Sequence, residues 1–254
     1  AHADARTRAR RIHDRLAGVP PTAAVLDTMT GMVQSGDAVG AAEEAMKNRA
    51  FYDVTLKNFA MPWTNRDQTV FAPLNDYVAT VIGMVRDNVP FNQVLYEDIL
   101  YVGNAAGLPA YSPSNNDHYE ALERGFNLKQ VLVRTTQSSR SGGLLTPDAT
   151  AGVITTRAAA QAFFVAGTNR AMFRFTMLNH MCRDMEQVLD TTRPPDRIRQ
   201  DVSRSPGGDS RVFLNNCIGC HSGMDPMAQA FAYYDWDETA GRMIYTSGVV
   251  RPKY

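Results

Sequence analysis

Three residues within five positions carry the chemistry of this chain: Cys217, Cys220 and His221, in the run Cys217-Ile218-Gly219-Cys220-His221. Two thiols three apart, followed at once by an imidazole, make the attachment pattern of a c-type haem. The thiols add to the two vinyl groups of one porphyrin, and the imidazole becomes the proximal ligand of the iron. The same residue types serve two other chemistries. A structural zinc site needs a second pair of Cys or His ligands, and the remaining cysteine is the lone Cys182. A dithiol oxidoreductase sets Cys-x-x-Cys after a strand, at the start of a helix in a βαβ unit, and residues 212–216 do not read that way. One covalent haem c is therefore the expected cofactor, with Cys217, Cys220 and His221 as its attachment points.

His221 fills one axial position, and the residue opposite decides the chemistry. On a helix read over 169–189, Phe173, Met177 and His180 recur at +4 and +7, a face apolar except for His180. That makes His180 the first candidate for the distal ligand. Its other reading is a core histidine satisfied by a backbone carbonyl or by Asp184. Met181 and Met177 are alternatives on the neighbouring stripe with Met185, a pattern that also serves as core filling. Met243 is a further alternative from downstream of the motif, and an open site is the remaining one. His118 lies in a polar run and reads as exposed. His2 and His13 lie in the basic N-terminal stretch and are poor ligands. Arg170, Arg174 and Arg242 suit haem propionates, because a guanidinium fork matches a carboxylate; ordinary salt bridges explain them equally well. Tyr233, Tyr234 and Trp236 read as porphyrin-edge or core packing.

The chain has 254 residues, enough for one large domain or two small ones. Lys plus Arg and Asp plus Glu both total 26, so no global field attracts nucleic acid or an anionic membrane. The arginines at 6, 8, 10, 11 and 15 read as a solvated helix face or an electrostatic docking arm. No apolar run is long enough to span a bilayer. Covalent haem attachment implies export, so a periplasmic or extracellular location is expected. Ala1-His2-Ala3 reads as what cleavage at a small-residue site leaves behind. The end, Arg251-Pro252-Lys253-Tyr254, has no helix cap or polar tail and reads as a point from which the natural chain continues. With two cysteines on the haem, Cys182 has no disulfide partner.

The elements that must position these residues read as mostly α. Helices are expected over 6–17, 23–34, 38–59, 73–87, 91–102, 117–126, 155–166, 169–189, 209–216 and 227–234, from spacings of three and four between apolar residues. Strand is expected only at 129–135 and 244–250. Residues 103–116, 138–150 and 191–208 are rich in Gly, Pro, Ser and Asn and read as loops. The loop at 103–116 suggests an N-terminal helical domain over 1–105 and a haem-binding helical domain over 106–254, the helices being arranged around one covalent haem.

Several motifs resemble, in their order, the cytochrome-like domain proteins of unknown function common in planctomycetes. After the haem motif these have Asp-Pro, an aromatic followed by Asp, and Gly-Arg; here stand Asp225-Pro226, Tyr234-Asp235 and Gly241-Arg242. Upstream, Gly143-Leu144-Leu145-Thr146 and Gly167-Thr168-Asn169-Arg170 match. The N-terminal half resembles their partner domain through residues 16–22 and 75–91. Ala228 and Ala232 replace the family's usual Gly and Glu. The resemblance implies architecture more than activity. Electron transfer outside the cytoplasm is the expected function, as a carrier or a subunit of a larger redox assembly, with other redox proteins as partners. The alternatives are a peroxidase- or oxygenase-like haem enzyme with an open distal site, and a structural or assembly subunit of a membrane or extracellular complex. No phosphate loop, His-Glu-x-x-His or nucleophile elbow competes with these.

Overall fold

Asp4, Thr22 and Asp37 start the first three helices. Each accepts a backbone N–H three residues on, from Thr7, Val25 and Gly40, which satisfies one of the orphan donors of a first turn. In the computed structural model, which describes residues 4–165, 168–194 and 203–251, these helices are α1 (Ala5–Ala17), α2 (Ala23–Gln34) and α3 (Ala38–Met46). They pack through Ala9, Met29, Val33, Ala41 and Ala45 into a small apolar cluster of their own. The helix expected over 38–59 is broken instead. Asn48 turns its side-chain oxygen to the Ala50 N–H at 3.0 Å, the competition with helix that Asn offers locally. A widened π-helical turn at Phe51–Leu56 then buries both Phe51 and Tyr52 before α4 (Lys57–Ala60).

Helix α5 (Asp76–Arg86) is buried at every residue from Asp76 to Met84. A helix apolar on all sides belongs at the centre of a protein, and the other elements gather on this one. The chain next forms β1 (Leu100–Gly103), α6 (Asp117–Gly125), α7 (Leu128–Val131), β2 (Leu132–Thr135), α8 (Gln137–Arg140) and α9 (Arg157–Phe163). The helix expected over 91–102 is a short 3-10 turn at Phe91–Leu95 followed by β1. Strand β1 pairs antiparallel with β2, Leu100 opposite Thr135, and the Tyr101 N–H donates to the Thr80 hydroxyl of α5 at 3.2 Å. The buried Asp76 carboxylate ties α5 to α9 by accepting the N–H groups of Arg157 and Ala158 at 2.6 and 3.0 Å.

The remaining elements are α10 (Arg170–Met181), α11 (Ser210–Asn216), α12 (Ile218–Ala228), β3 (Tyr234–Asp237) and β4 (Arg242–Tyr245). The helix read over 169–189 stops at Met181, where Cys182 turns left-handed at φ 52°; a capping box from Asp184 to Gln187 begins a separate turn. The helix read over 227–234 starts earlier and ends earlier, and its last residue opens β3. Of the strand read over 244–250 only 244–245 are extended, as the end of β4, which pairs antiparallel with β3; residues 246–250 are turn and loop.

The chain is thus mostly helical, with two small antiparallel sheets among the described residues. One core cluster joins Tyr77, Val81 and Ile82 of α5 to Tyr101, Tyr119, Leu132, Phe163, Phe175, Trp236 and Met243. The division at 105/106 is crossed by the β1–β2 pairing and by the Tyr119 hydroxyl, which donates to the Tyr101 carbonyl at 2.8 Å. The helices gather around α5, whose residues from Asp76 to Met84 are all buried. No helix among the described residues is long and apolar enough to cross a membrane.

Two glycines test this packing in opposite directions. A β-carbon at Gly83 of α5 would collide with the Tyr101 ring, whereas one at Gly31 of α2 meets nothing. Gly83→Ala should destabilise the protein by about 1–3 kcal/mol through overpacking. Gly31→Ala should stabilise it by about 0.5–1 kcal/mol through helix propensity. Denaturant midpoints of the two variants check both signs.

Candidate functional site

The Cys-x-x-Cys-His run forms the start of a helix. Cys217 is the N-cap residue of α12, and Cys220 and His221 follow in its first turns. At about 100° per residue, positions 217, 220 and 221 share one side of the helix. All three are partly exposed, and both thiols are free. The segment after α10 runs back along α12: the Asp190 N–H donates to the Gly219 carbonyl at 2.9 Å, and the Ser222 hydroxyl donates to the Asp190 carbonyl at 2.6 Å. Gly219 is small for a reason, since a β-carbon there would lie 3.1 Å from the Leu189 β-carbon.

One turn beyond His221 stands Asp225, which has no exposed surface. Its Oδ1 lies 2.9 Å from His221 Nδ1 and 2.6 Å from Arg170 Nε, and its Oδ2 lies 3.1 Å from Arg204 Nη2. Burial opposes the charge, but the hydrogen bonds from His221, Arg170 and Arg204 outweigh it and hold the carboxyl at about 2. With Nδ1 committed to this carboxylate, Nε2 is the nitrogen of His221 left for a ligand. The Phe213 ring packs on the imidazole with centroids 5.6 Å apart, and the Arg204 guanidinium lies 4.2 Å above Phe213. Asn169 fixes the start of α10 by donating to the Phe231 and Tyr234 carbonyls, both at 2.9 Å.

The Cys220 thiol is pushed up, first by burial and then by the Glu186 and Asp184 carboxylates. Among the described residues, no group of three or more His, Cys, Asp or Glu side chains is placed to hold a metal ion.

The structure separates the residues proposed for the far side of the iron. His180 is turned toward α5: its Nε2 lies 2.7 Å from the Tyr77 hydroxyl, and its ring meets Trp63 edge-on at 5.5 Å. Burial lowers its pKa to about 4. The histidine is satisfied by Tyr77 and not by Asp184, which makes a two-point ion pair with Arg174 at 2.8 and 2.7 Å. Met243 is built into the central core beside Asp76, Tyr111 and Gln137. Met177 and Met181, by contrast, fall within about 60° of Arg170 and Arg174 around α10, while His180 lies about 90° round from them. That arginine face meets α12 through Asp225, and Met181 is 57% exposed.

Of the proposed propionate partners, Arg170 reaches the motif but is engaged by Asp225, and Arg174 is engaged by Asp184. Arg242 stands on β4, whose hairpin packs against α9. Tyr234 stacks on Phe164, and Arg157 lies over the buried Trp236, as ordinary core groups do. His118 is buried rather than exposed; it lies 2.7 Å from the Pro109 carbonyl at Nδ1 and accepts the Gly103 N–H at Nε2. His13 is buried against the Val19 carbonyl. His2, Gly167 and 195–202 of the expected loop lie outside the described residues.

Compared with protein-family models, with curated proteins and with solved structures, the chain matches none of them. The donor set itself fits a c-type haem. Two free thiols and an imidazole share one helix face, the imidazole is oriented by a carboxylate, and Met181, Leu189, Leu214 and Met227 on the flanking segments expose apolar surface.

The His180 environment has a consequence for stability. The folded state keeps the ring uncharged down to about pH 4, whereas the unfolded chain protonates near the ordinary histidine value of 6.5. The unfolded state therefore binds more protons between these values, and stability falls as pH drops from about 6.5 to about 4. The loss attributable to this residue is on the order of 3 kcal/mol. Comparison of unfolding free energies at pH 7 and pH 4 should show a smaller drop in His180→Gln than in the parent protein.

Proposed function

We propose that the chain is a mono-haem c-type cytochrome that transfers electrons. The observation that carries this reading is the first part of α12, where Cys217, Cys220 and His221 share one face and Asp225 holds His221 Nδ1 so that Nε2 is presented. Cys217 and Cys220 would hold the porphyrin through thioethers, and His221 would be the proximal ligand. Bound there, the haem supplies one-electron chemistry between ferric and ferrous iron. The chain's own residues orient the imidazole, cover the porphyrin and set what reaches the iron.

The distal ligand is proposed to come from Met177 or Met181. Helices α10 and α12 pack on each other, with Arg170 bonded to Asp225. Met177 and Met181 lie on the same side of α10 as Arg170, which bonds to α12. His180, which a haem enzyme could use as its distal acid–base group, is held by Tyr77 instead, and this favours a carrier. Covalent attachment implies maturation outside the cytoplasm, so other exported redox proteins are the proposed partners.

Haem staining after denaturing electrophoresis of matured protein should give a coloured band, and Cys217→Ala with Cys220→Ala should abolish it. A colourless parent band rejects the cytochrome reading. The oxidised parent should be low-spin with the weak near-infrared band of Met ligation. Met177→Ala or Met181→Ala should open the site to carbon monoxide, while His180→Gln should not. A high-spin parent that binds carbon monoxide rapidly would replace the carrier with an enzyme.

A further inference from the structure

We infer that Asp225 sets the reduction potential of the iron, acting through the imidazole of His221 as a positioning residue; this rests on the haem reading above. The geometry is specific. Asp225 lies four residues after His221 on α12, so the helix itself delivers a carboxylate oxygen to Nδ1, at 2.9 Å. The carboxylate has no exposed surface, and water does not weaken the bond. Arg170, at the start of α10, and Arg204, just before α11, reach the same carboxylate.

An anionic acceptor on the second nitrogen of a ligating histidine makes the first nitrogen a stronger donor. Donation from Nε2 stabilises ferric iron over ferrous iron, so the carboxylate lowers the potential. Arg170 and Arg204 hold this carboxylate in place beside Nδ1. The couple is one electron added to ferric iron to give ferrous iron. The same carboxylate also anchors the helix that carries Met177 and Met181, so one buried charge orients the proximal ligand and fixes the element proposed to supply the distal one.

The test is a dithionite titration of the haem-loaded protein, of Asp225→Asn and of Glu186→Gln. Asparagine keeps the shape of the side chain and removes the charge. Glu186 is a carboxylate that acts electrostatically on Cys220 of the same motif and is not bonded to His221. Asp225→Asn should shift the reduction equilibrium toward ferrous iron at least tenfold, about 59 mV for a one-electron couple, and Glu186→Gln should shift it far less. Equal shifts in the two variants overturn the inference and leave the cytochrome reading standing. A parent protein without covalent haem overturns both. If Asp225→Asn does not fold, resonance Raman of whichever of Met177→Ala and Met181→Ala binds carbon monoxide decides, taken on its ferrous form after photolysis. An iron–histidine stretch raised into the range of carboxylate-bonded imidazoles supports the inference; the frequency of a neutral, carbonyl-bonded imidazole overturns it.

Discussion

A carboxylate with no exposed surface, Asp225, holds three segments of this chain together. Burying a charge is costly unless it is paired and hydrogen-bonded, and here the pairing comes from His221 within α12, from Arg170 of α10 and from Arg204 of the segment leading into α11. None of these segments can shift alone without leaving a buried charge uncompensated. The orientation of His221, the contact of α10 with α12 and the seating of Arg204 over Phe213 all follow from satisfying that one group.

A second buried carboxylate shows how environment divides such groups. Asp76 accepts N–H groups from Tyr77, Arg157 and Ala158, and burial still pushes its carboxyl up. Asp225 has two guanidinium partners and is held down. Asp76 works as a joint between α5 and α9, for which backbone donors suffice. Asp225 is held as an anion beside the His221 imidazole by its two guanidinium partners.

The Cys-x-x-Cys-His motif lies on α12 and shares its surroundings with α10, α11 and the turn at Met185–Gln187, while the densest packing surrounds α5. Position and chemistry are consistent. The central core, with Tyr77, Ile82, Tyr101 and Phe163 buried together, is assembled from protein groups alone. The face bearing Cys217, Cys220 and His221 keeps partly exposed thiols and an Nε2 not bonded to Asp225.

The sequence by itself determined the local features. The motif is contiguous, so the expectation of a covalent haem can be drawn from it without a fold, and the helices at Ala5–Ala17 and Ala23–Gln34 declare their caps and stops through Asp4, Gly18, Thr22 and neighbouring prolines. His221-x-x-x-Asp225 was legible in principle, as an i to i+4 pair on a helix, and Asp184-x-x-Gln187 was legible as a capping box that ends the helix read over 169–189. The tertiary structure alone decided the rest. Residues 100–103 became a strand because their partner at 132–135 arrives about thirty residues later, and helix-like spacing carries no trace of a distant hydrogen-bond ladder. His180 shares an apolar-looking face with Met177 in the sequence, yet Tyr77, 103 positions away, takes its imidazole. Arg204 and Arg170 meet at Asp225 for the same reason: the free energy of a buried charge is settled by which donors the fold brings within 3 Å of it, and that distance does not exist until the chain has folded.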